Sequence, residues 1–257
     1  MNNVMAIAGV VIKELYRRKD FYVLFVLTAV LTLAMGSANF FNDDRIARYL
    51  KEICLLLIWI SSLVIAIGTA ARQIPSERES RTIFPLLAKP VSRWEFILGK
   101  FAGCWLACGL TLVVFYLFFG VISASREHVW PVLHYAQAMW LHWIFLAIVV
   151  SLLIFGSIIF AAPSSNGTIC FLFIAGIMLL GRHLNGFALQ MSEPGRTVVY
   201  AIYYAVPHFE FFDIRDLITH DLALVPWWVA GLATLYGMAY AGVFLVAAWL
   251  IFRRKSL

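Results

Sequence analysis

The chain has 257 residues, 63% of them hydrophobic and only 13% charged, with a mean hydropathy of +0.87. A soluble domain is about half apolar and a quarter charged, so the composition excludes an ordinary soluble fold and implies an integral membrane protein. The net charge is +6, but the basic residues cluster at the ends of apolar runs, a pattern of membrane flanks and not of a nucleic-acid patch.

Residues 1–19 are expected to form an amphipathic helix on the membrane surface. Val4, Ile7, Ala8, Val11 and Leu15 share one face, and Lys13, Glu14, Arg17 and Arg18 the other. The apolar residues precede the charges, the reverse of a signal peptide. Phe21–Phe41 is long enough to span a bilayer, which takes about 20 residues. A polar link, Asn42–Glu52, leads into a second span over Ile53–Ile74.

Gln73–Lys100 is a charged island between apolar runs. It carries Arg78, Arg81, Lys89, Arg93 and Lys100, with Arg72 just before it, and the acids Glu77, Glu79 and Glu95. An Arg or Lys in mid-bilayer costs at least ~2.5 kcal/mol, so the island lies in water, and its positive balance places it in the cytoplasm.

The third span covers Phe96–Ile122, Ser123–Tyr135 is a polar connection, and the fourth span covers Ala136–Ala161. Pro163-Ser-Ser-Asn-Gly167 reads as a turn. A fifth span over Thr168–Leu184 precedes the longest non-spanning stretch, Gly186–Val225. Within it Thr197–Val206 is apolar but too short to cross, which predicts a re-entrant or interfacial helix. Pro226–Phe252 is the sixth span, followed by the anchor Arg253-Arg254-Lys255.

With both termini, the island and the 162–167 turn assigned to the cytoplasm, 13 of the 20 basic residues lie inside. That asymmetry is the positive-inside pattern. Trp130, Trp140, Trp143, Trp227 and Trp228 then fall near the outer interface as an aromatic belt. Gly99, Gly103 and Ala107 line one face of the third span, and Ala233, Gly237 and Ala241 one face of the sixth. Such rows let helices approach closely, within a subunit or between two.

Catalytic motifs are missing from the sequence. Gly99-Lys100 lacks the remainder of a phosphate loop, and neither H-E-x-x-H nor G-x-S-x-G occurs. His134, His142, His183, His208 and His220 map to the outer half, which keeps open a haem- or metal-binding redox protein as a rival reading, yet their spacing matches no ligand motif. Cys54, Cys104, Cys108 and Cys170 lie in apolar runs and read as buried thiols. Asn166-Gly-Thr168 is a formal glycosylation acceptor on the wrong side of the membrane. No span carries a charge near its centre, which argues against a proton- or ion-coupled carrier and for force applied from outside the bilayer.

ERESRTIFPLLAKPVSRWEFILGK resembles the cytoplasmic segment of ABC type-2 permeases, the membrane subunits of ATP-driven exporters. The family pattern E-R-E-x-G-T-x-x-x-L-L-x-x-P-V-S-R-x-x-x-x-x-G-K is matched by Glu77, Arg78, Glu79, Thr82, Leu86, Leu87, Pro90, Val91, Ser92, Arg93, Gly99 and Lys100. The surface helix, six spans and long outer segment fit the same family, so the resemblance covers the whole chain. Arg81 stands where the family often has Gly, and Pro85 interrupts the expected coupling helix.

The resemblance implies one all-α permease domain over 1–257, not itself an enzyme, in a bacterial cytoplasmic membrane with both termini inside. It also implies a second permease subunit and a dimer of ABC ATPase subunits that carry the ATP and Mg; this chain holds no cofactor, no metal and no nucleic acid. The ATPase-coupling residues are then Glu77, Arg78, Glu79, Arg81, Thr82, Ile83, Leu86, Leu87, Pro90 and Arg93. Ile83, Leu86 and Leu87 rimmed by charge suit a groove on a soluble partner. A membrane anchor that recruits a partner without transport is a further alternative. In the outer segment Tyr200, Tyr203, Tyr204, Pro207, Phe209 and Phe212 are candidates for an outer gate, or for a cap over the spans.

The charge asymmetry makes the orientation testable. A membrane-impermeant thiol reagent should label Ser192→Cys in intact cells, and Ser80→Cys only after the membrane is opened. The reverse pattern overturns the orientation.

Overall fold

In a computed structural model of the chain, the described residues are 3–17, 22, 26, 29, 30, 33, 44–79, 91–127, 130–220 and 222–254. Among them every regular element is a helix. These are α1 (Asn3–Tyr16), α2 (Asp44–Ala70), α3 (Gln73–Glu79), α4 (Arg93–Glu127), α5 (Val132–Ile159), α6 (Pro163–Leu189) and α7 (Gly195–Ala205). A 3-10 turn (Phe209–Phe212), α8 (Arg215–Thr219) and α9 (Trp227–Arg254) complete the order. Five stretches are long and apolar enough to cross a membrane: Lys51–Glu79, Arg93–Ala124, Val132–Ile159, Pro163–Gly181 and Trp227–Arg254. They correspond to the second to sixth expected spans. The first, Phe21–Phe41, lies mostly outside the described residues.

Three expected connections prove to be helix in whole or in part. Residues 44–52 of the supposed polar link form the first turns of α2, because Arg, Ala, Leu, Lys and Glu are good helix formers whatever their polarity. The Ser123–Tyr135 connection shrinks, since α4 runs to Glu127 and α5 starts at Val132. The 163–167 turn is the opening of α6, with Pro163 at a position where its missing N–H is harmless.

The bundle is organised around α5, which touches α2, α3, α4, α6 and α9 and the two short outer elements. Its run Ile144–Ile154 is buried on every side. A helix apolar all round has no face to give to water, and here that sequence occupies the centre. By contrast α6 and α9 bury one stripe and leave residues such as Leu172, Leu180, Leu235 and Val243 exposed, as lipid-facing helices do.

The two rows of small residues are both used inside the chain. Gly99 and Gly103 receive α1: a Cβ at Gly99 would stand 2.7 Å from Ile7 Cβ, and one at Gly103 would stand 2.7 Å from Val11 Cβ and 3.0 Å from the Ala8 backbone. The expected apolar face of α1 is therefore buried, through Ile7, Ala8 and Val11, while Lys13 and Glu14 are exposed. That face lies along α4 and not flat on lipid, because glycine lets the backbones close up. In α9, a Cβ at Gly237 would meet Ile144 of α5 at 2.5 Å and Phe212 at 3.0 Å.

Trp143 is not a belt residue. Its indole stacks on Trp105 with centroids 4.4 Å apart, its N–H donates to Trp105 O at 3.0 Å, and Trp105 N–H donates to Trp143 O at 2.9 Å. Gly109 leaves room for that ring. The pair joins α4 to α5 and satisfies two indole donors away from water. Trp130, Trp140, Trp227 and Trp228 are exposed, as belt residues are.

One further polar contact holds three helices together. Pro75 in α3 has no N–H for the carbonyl of Ala71, four residues back. Asn166, fully buried at the start of α6, donates its amide to Ala71 O at 3.0 Å and to Leu153 O at 3.0 Å. Cys170 Sγ donates to Asn166 Oδ1 at 3.3 Å, and a side chain at Gly156 would collide with that oxygen. The formal glycosylation acceptor is an interhelical pin. Asn166→Leu should destabilise the purified protein by ~1–3 kcal/mol by orphaning Ala71 O. Adding Pro75→Ala, which restores an N–H at that carbonyl, should recover part of the loss in a thermal melt; strictly additive losses would refute the compensation.

Candidate functional site

The charged island is rooted in three helices. α3 extends α2 and buries Gln73, Ile74 and Pro75, which sets Glu77 beside Lys100 on α4. Lys100 is only 3% exposed. Its Nζ donates to Gln73 Oε1 at 3.1 Å, is ion-paired with Glu77 and lies over the Phe96 ring. The Gln73 amide in turn reaches Thr69 O at 3.4 Å. A buried ammonium needs such partners, since an unpaired one would lose its hydration with nothing in return.

The other root is the start of α4. Ser92 Oγ accepts the Glu95 N–H at 3.2 Å, while Glu95 Oε2 accepts the Ser92 N–H at 2.7 Å and the Ser92 hydroxyl at 2.9 Å. This reciprocal capping satisfies donors that a helix start leaves open. Asn3 of α1 adds a donor to Glu95 Oε1 at 3.3 Å. Arg93 points to the end of α9, where its Nη1 donates to Phe252 O at 2.6 Å and Arg253 O at 3.0 Å, with the guanidinium 5.4 Å from the Phe252 ring centre. Carbonyls of a last helical turn lack intrahelical donors and carry the negative end of the dipole, so a cation is well placed there.

Of the expected coupling residues, Glu77 and Arg93 thus face the bundle, Arg78 is half-buried and Glu79 exposed. Arg81, Thr82, Ile83, Leu86, Leu87 and Pro90, with Pro85, lie outside the described residues. Lys100 was legible as a motif residue but not as the partner of Glu77. Gln73 and Asn166 were missed; the only signal for Asn166 was a proline in a helix whose orphaned carbonyl demands a donor.

The outer segment is split in its placement. Pro207, Phe209 and Phe212 are buried; Phe209 stands edge-on to Phe145 of α5 with centroids 5.0 Å apart. Tyr200, Tyr203 and Tyr204 sit on α7, which buries none of its residues and packs on α6, and Tyr204 is exposed. Tyr203 meets His208 edge to face at 4.5 Å.

This segment also carries charge into the bundle. Arg215 donates through Nε and Nη2 to the two carboxylate oxygens of Asp213 at 2.8 and 2.7 Å, and its guanidinium lies 5.3 Å from the ring centre of Trp59 in α2. Burial works against that charge, but Asp213 outweighs it and holds the guanidinium above its ordinary value. Below it, Trp59 stacks on His142 at 4.4 Å. Ser62 donates to Trp59 O at 2.9 Å, so the 2.8 Å contact with His142 Nε2 is donated by the histidine, and Tyr116 OH approaches its Nδ1 at 3.4 Å. His134 is bonded to Leu222 O and His208 to Tyr236. Among the described residues the histidines are therefore dispersed, and no cluster of three metal-ligating side chains is present.

The family of ABC-2 family transporter proteins matches residues 5–257. The chain belongs to the ABC-2 transporter family. No curated protein matches it. This ABC-2 transporter protein is thus an integral membrane component, all-helical among the described residues, in which the two ends of the charged motif, Glu77 and Lys100, are joined.

That junction predicts a stability signature. Lys100→Met leaves Glu77 partly buried beside a methyl group and should lower the melting temperature. The double variant Glu77→Met/Lys100→Met should melt closer to wild type than Lys100→Met alone, since it removes the stranded charge. Equal melting of the single and double variants would deny the pair any energetic role.

Proposed function

We propose that this ABC-2 protein is the membrane subunit of an ATP-driven exporter, working in a bacterial cytoplasmic membrane with both termini inside. Two permease subunits would pair with two separate ATPase subunits, which bind the ATP and Mg. The segment Gln73–Lys100 takes up the ATPase motion, with Ile83, Leu86 and Leu87 entering a groove on the ATPase and Arg78, Glu79, Arg81 and Thr82 at its rim.

The observation that carries this reading is the double clamp at the roots of the segment. Lys100 ties α4 to Glu77 and Gln73 at the end of α2 and α3, and Arg93 ties α4 to the last carbonyls of α9. A push on residues between the clamps is therefore delivered to three spans at once. A merely positive loop would need neither clamp. Closure of the ATPases shifts the population from inward-open to outward-open, and the outer segment, seated by Pro207, Phe209 and Phe212, is the element that must yield on the far side.

Leu86→Asp puts a charge into the proposed groove and should cost the complex several kcal/mol if the contact is dry. The variant should insert and melt like wild type, yet fail to co-purify with its ATPase or to stimulate ATP hydrolysis. Intact assembly and transport would refute the coupling role.

A further inference from the structure

Residues 207–219 are held to the bundle by contacts of two different kinds. Toward α5 and α9 the hold is apolar: Phe209 stands edge-on to Phe145, and the buried Phe212 lies against Gly237. Those rings would lose all their packing if pulled away, so that side is a fixed anchor. Toward α2 the hold is a cation on a ring, with the Arg215 guanidinium 5.3 Å from the ring centre of Trp59. The short helix α8, which begins at Arg215, packs on α2 and α5.

The second contact is suited to opening. Asp213 takes Arg215 through both carboxylate oxygens, at 2.8 and 2.7 Å, and the two residues belong to the same short segment. When the guanidinium leaves the ring its counter-ion goes with it, so the separation strands no charge. Both side chains are already partly exposed. The attraction of a cation to a ring fades beyond about 6 Å from the centre, so a small shift of Trp59 releases it.

Trp59 follows the position of α2. It is buried, stacks on His142 at 4.4 Å and leans on Phe145 at 4.6 Å, so the ring does not turn independently of its helix. α2 and α3 form one stretch, Lys51–Glu79. Ala71 N–H donates to Ile67 O and Ser76 N–H to Arg72 O, both at 3.0 Å, which carries the helix through their join. About 21 Å of helix rise separates Trp59 from Gln73, which with Glu77 holds Lys100. Between these points Asn166 pins Ala71 O and Leu153 O of α5 to one amide. A tilt of α2 about that pin moves Trp59 and Glu77 in opposite directions.

We propose that Arg215 on Trp59 is a releasable latch between residues 207–219 and α2, opened by a tilt of α2 that the Glu77–Lys100 junction controls. Its use as a gate in transport rests on the exporter reading; the latch and its link to Lys100 stand without it.

The test uses the full chain in phosphatidylcholine nanodiscs without any ATPase. Amide hydrogen exchange of residues 213–220 is read as a ratio to that of the buried run Ile144–Ile154, which cancels any loss of global stability. Leu217 N–H is bonded to Ile214 O and His220 N–H to Asp216 O, so exchange reports loosening of this stretch. Arg215→Gln should raise the ratio about tenfold, the order expected for loss of a partly desolvated cation–π contact. Trp59→Leu should do the same, and the double variant should go no further than either alone. Lys100→Met should also raise the ratio, but not in the Trp59→Leu background, whereas residues this far apart are ordinarily additive. Melting curves identify the folded variants. An unchanged ratio in either folded single variant, Arg215→Gln or Trp59→Leu, would overturn the latch. No effect of Lys100→Met, or an effect additive with Trp59→Leu, would overturn its control by the Lys100 junction. Failure of the exporter reading would show separately, as an ATPase that does not assemble with a chain in which Lys100 and residues 213–220 remain coupled.

Discussion

Hydrocarbon offers no hydrogen bonds, so each polar group in the bundle must be matched within the protein. That constraint explains most of the specific contacts. Pro75 leaves the Ala71 carbonyl without a helical donor, and Asn166 supplies one from another helix. Trp105 and Trp143 bring two indole donors into α4 and α5 and give each to the other's carbonyl. Ser62, His142 and Tyr116 form a chain in which a buried imidazole is bonded at both nitrogens. Apolar packing could be exchanged among many residues of similar size; these matched pairs could not, and they fix which helices are neighbours.

The same constraint shapes the end of the bundle that carries the charged island. Lys100 and Arg93 stand where α4 leaves the apolar region, and neither is left to water alone. Each is bound to a different helix, one to the end of α2 and α3 and the other to the end of α9. Gly99, next to Lys100, admits α1 on another side of α4. One short sequence thus joins four helices at one level. This gives a physical reason for several residue types in the motif: Arg93, Gly99 and Lys100 hold the roots of the segment in place.

At the end that carries residues 207–219 the division is between packing and chemistry. Phe209 and Phe212 are core residues of the bundle in all but sequence position, and Gly237 is small because Phe212 lies against it. They hold down a segment that carries Asp213, Arg215 and Glu210 to the walls of a cavity. No span needs to contain a charge for the bundle to possess one. The lack of charge near the centres of the spans therefore describes the helices and not the space between them.

The sequence by itself determined the class, the second to sixth spans and the family. Long apolar runs separated by basic clusters leave a chain few options in a bilayer, and the motif from Glu77 to Lys100 is local enough to be recognised in one dimension. The apolar face of α1 was legible from its period, as were Gly99 and Gly103 as a close-packing row. Helix ends were less so: the turn expected at 163–167 and the stretches 44–52, 123–127 and 132–135 of the expected links are helical, because polarity alone does not stop a helix.

What only the tertiary structure decided were the partnerships. Glu77 with Lys100, Arg93 with the end of α9, Asn166 with Ala71 and Arg215 over Trp59 join residues distant in sequence. Residue type indicates that a buried donor or charge must be matched, and the packing of helices chooses the match.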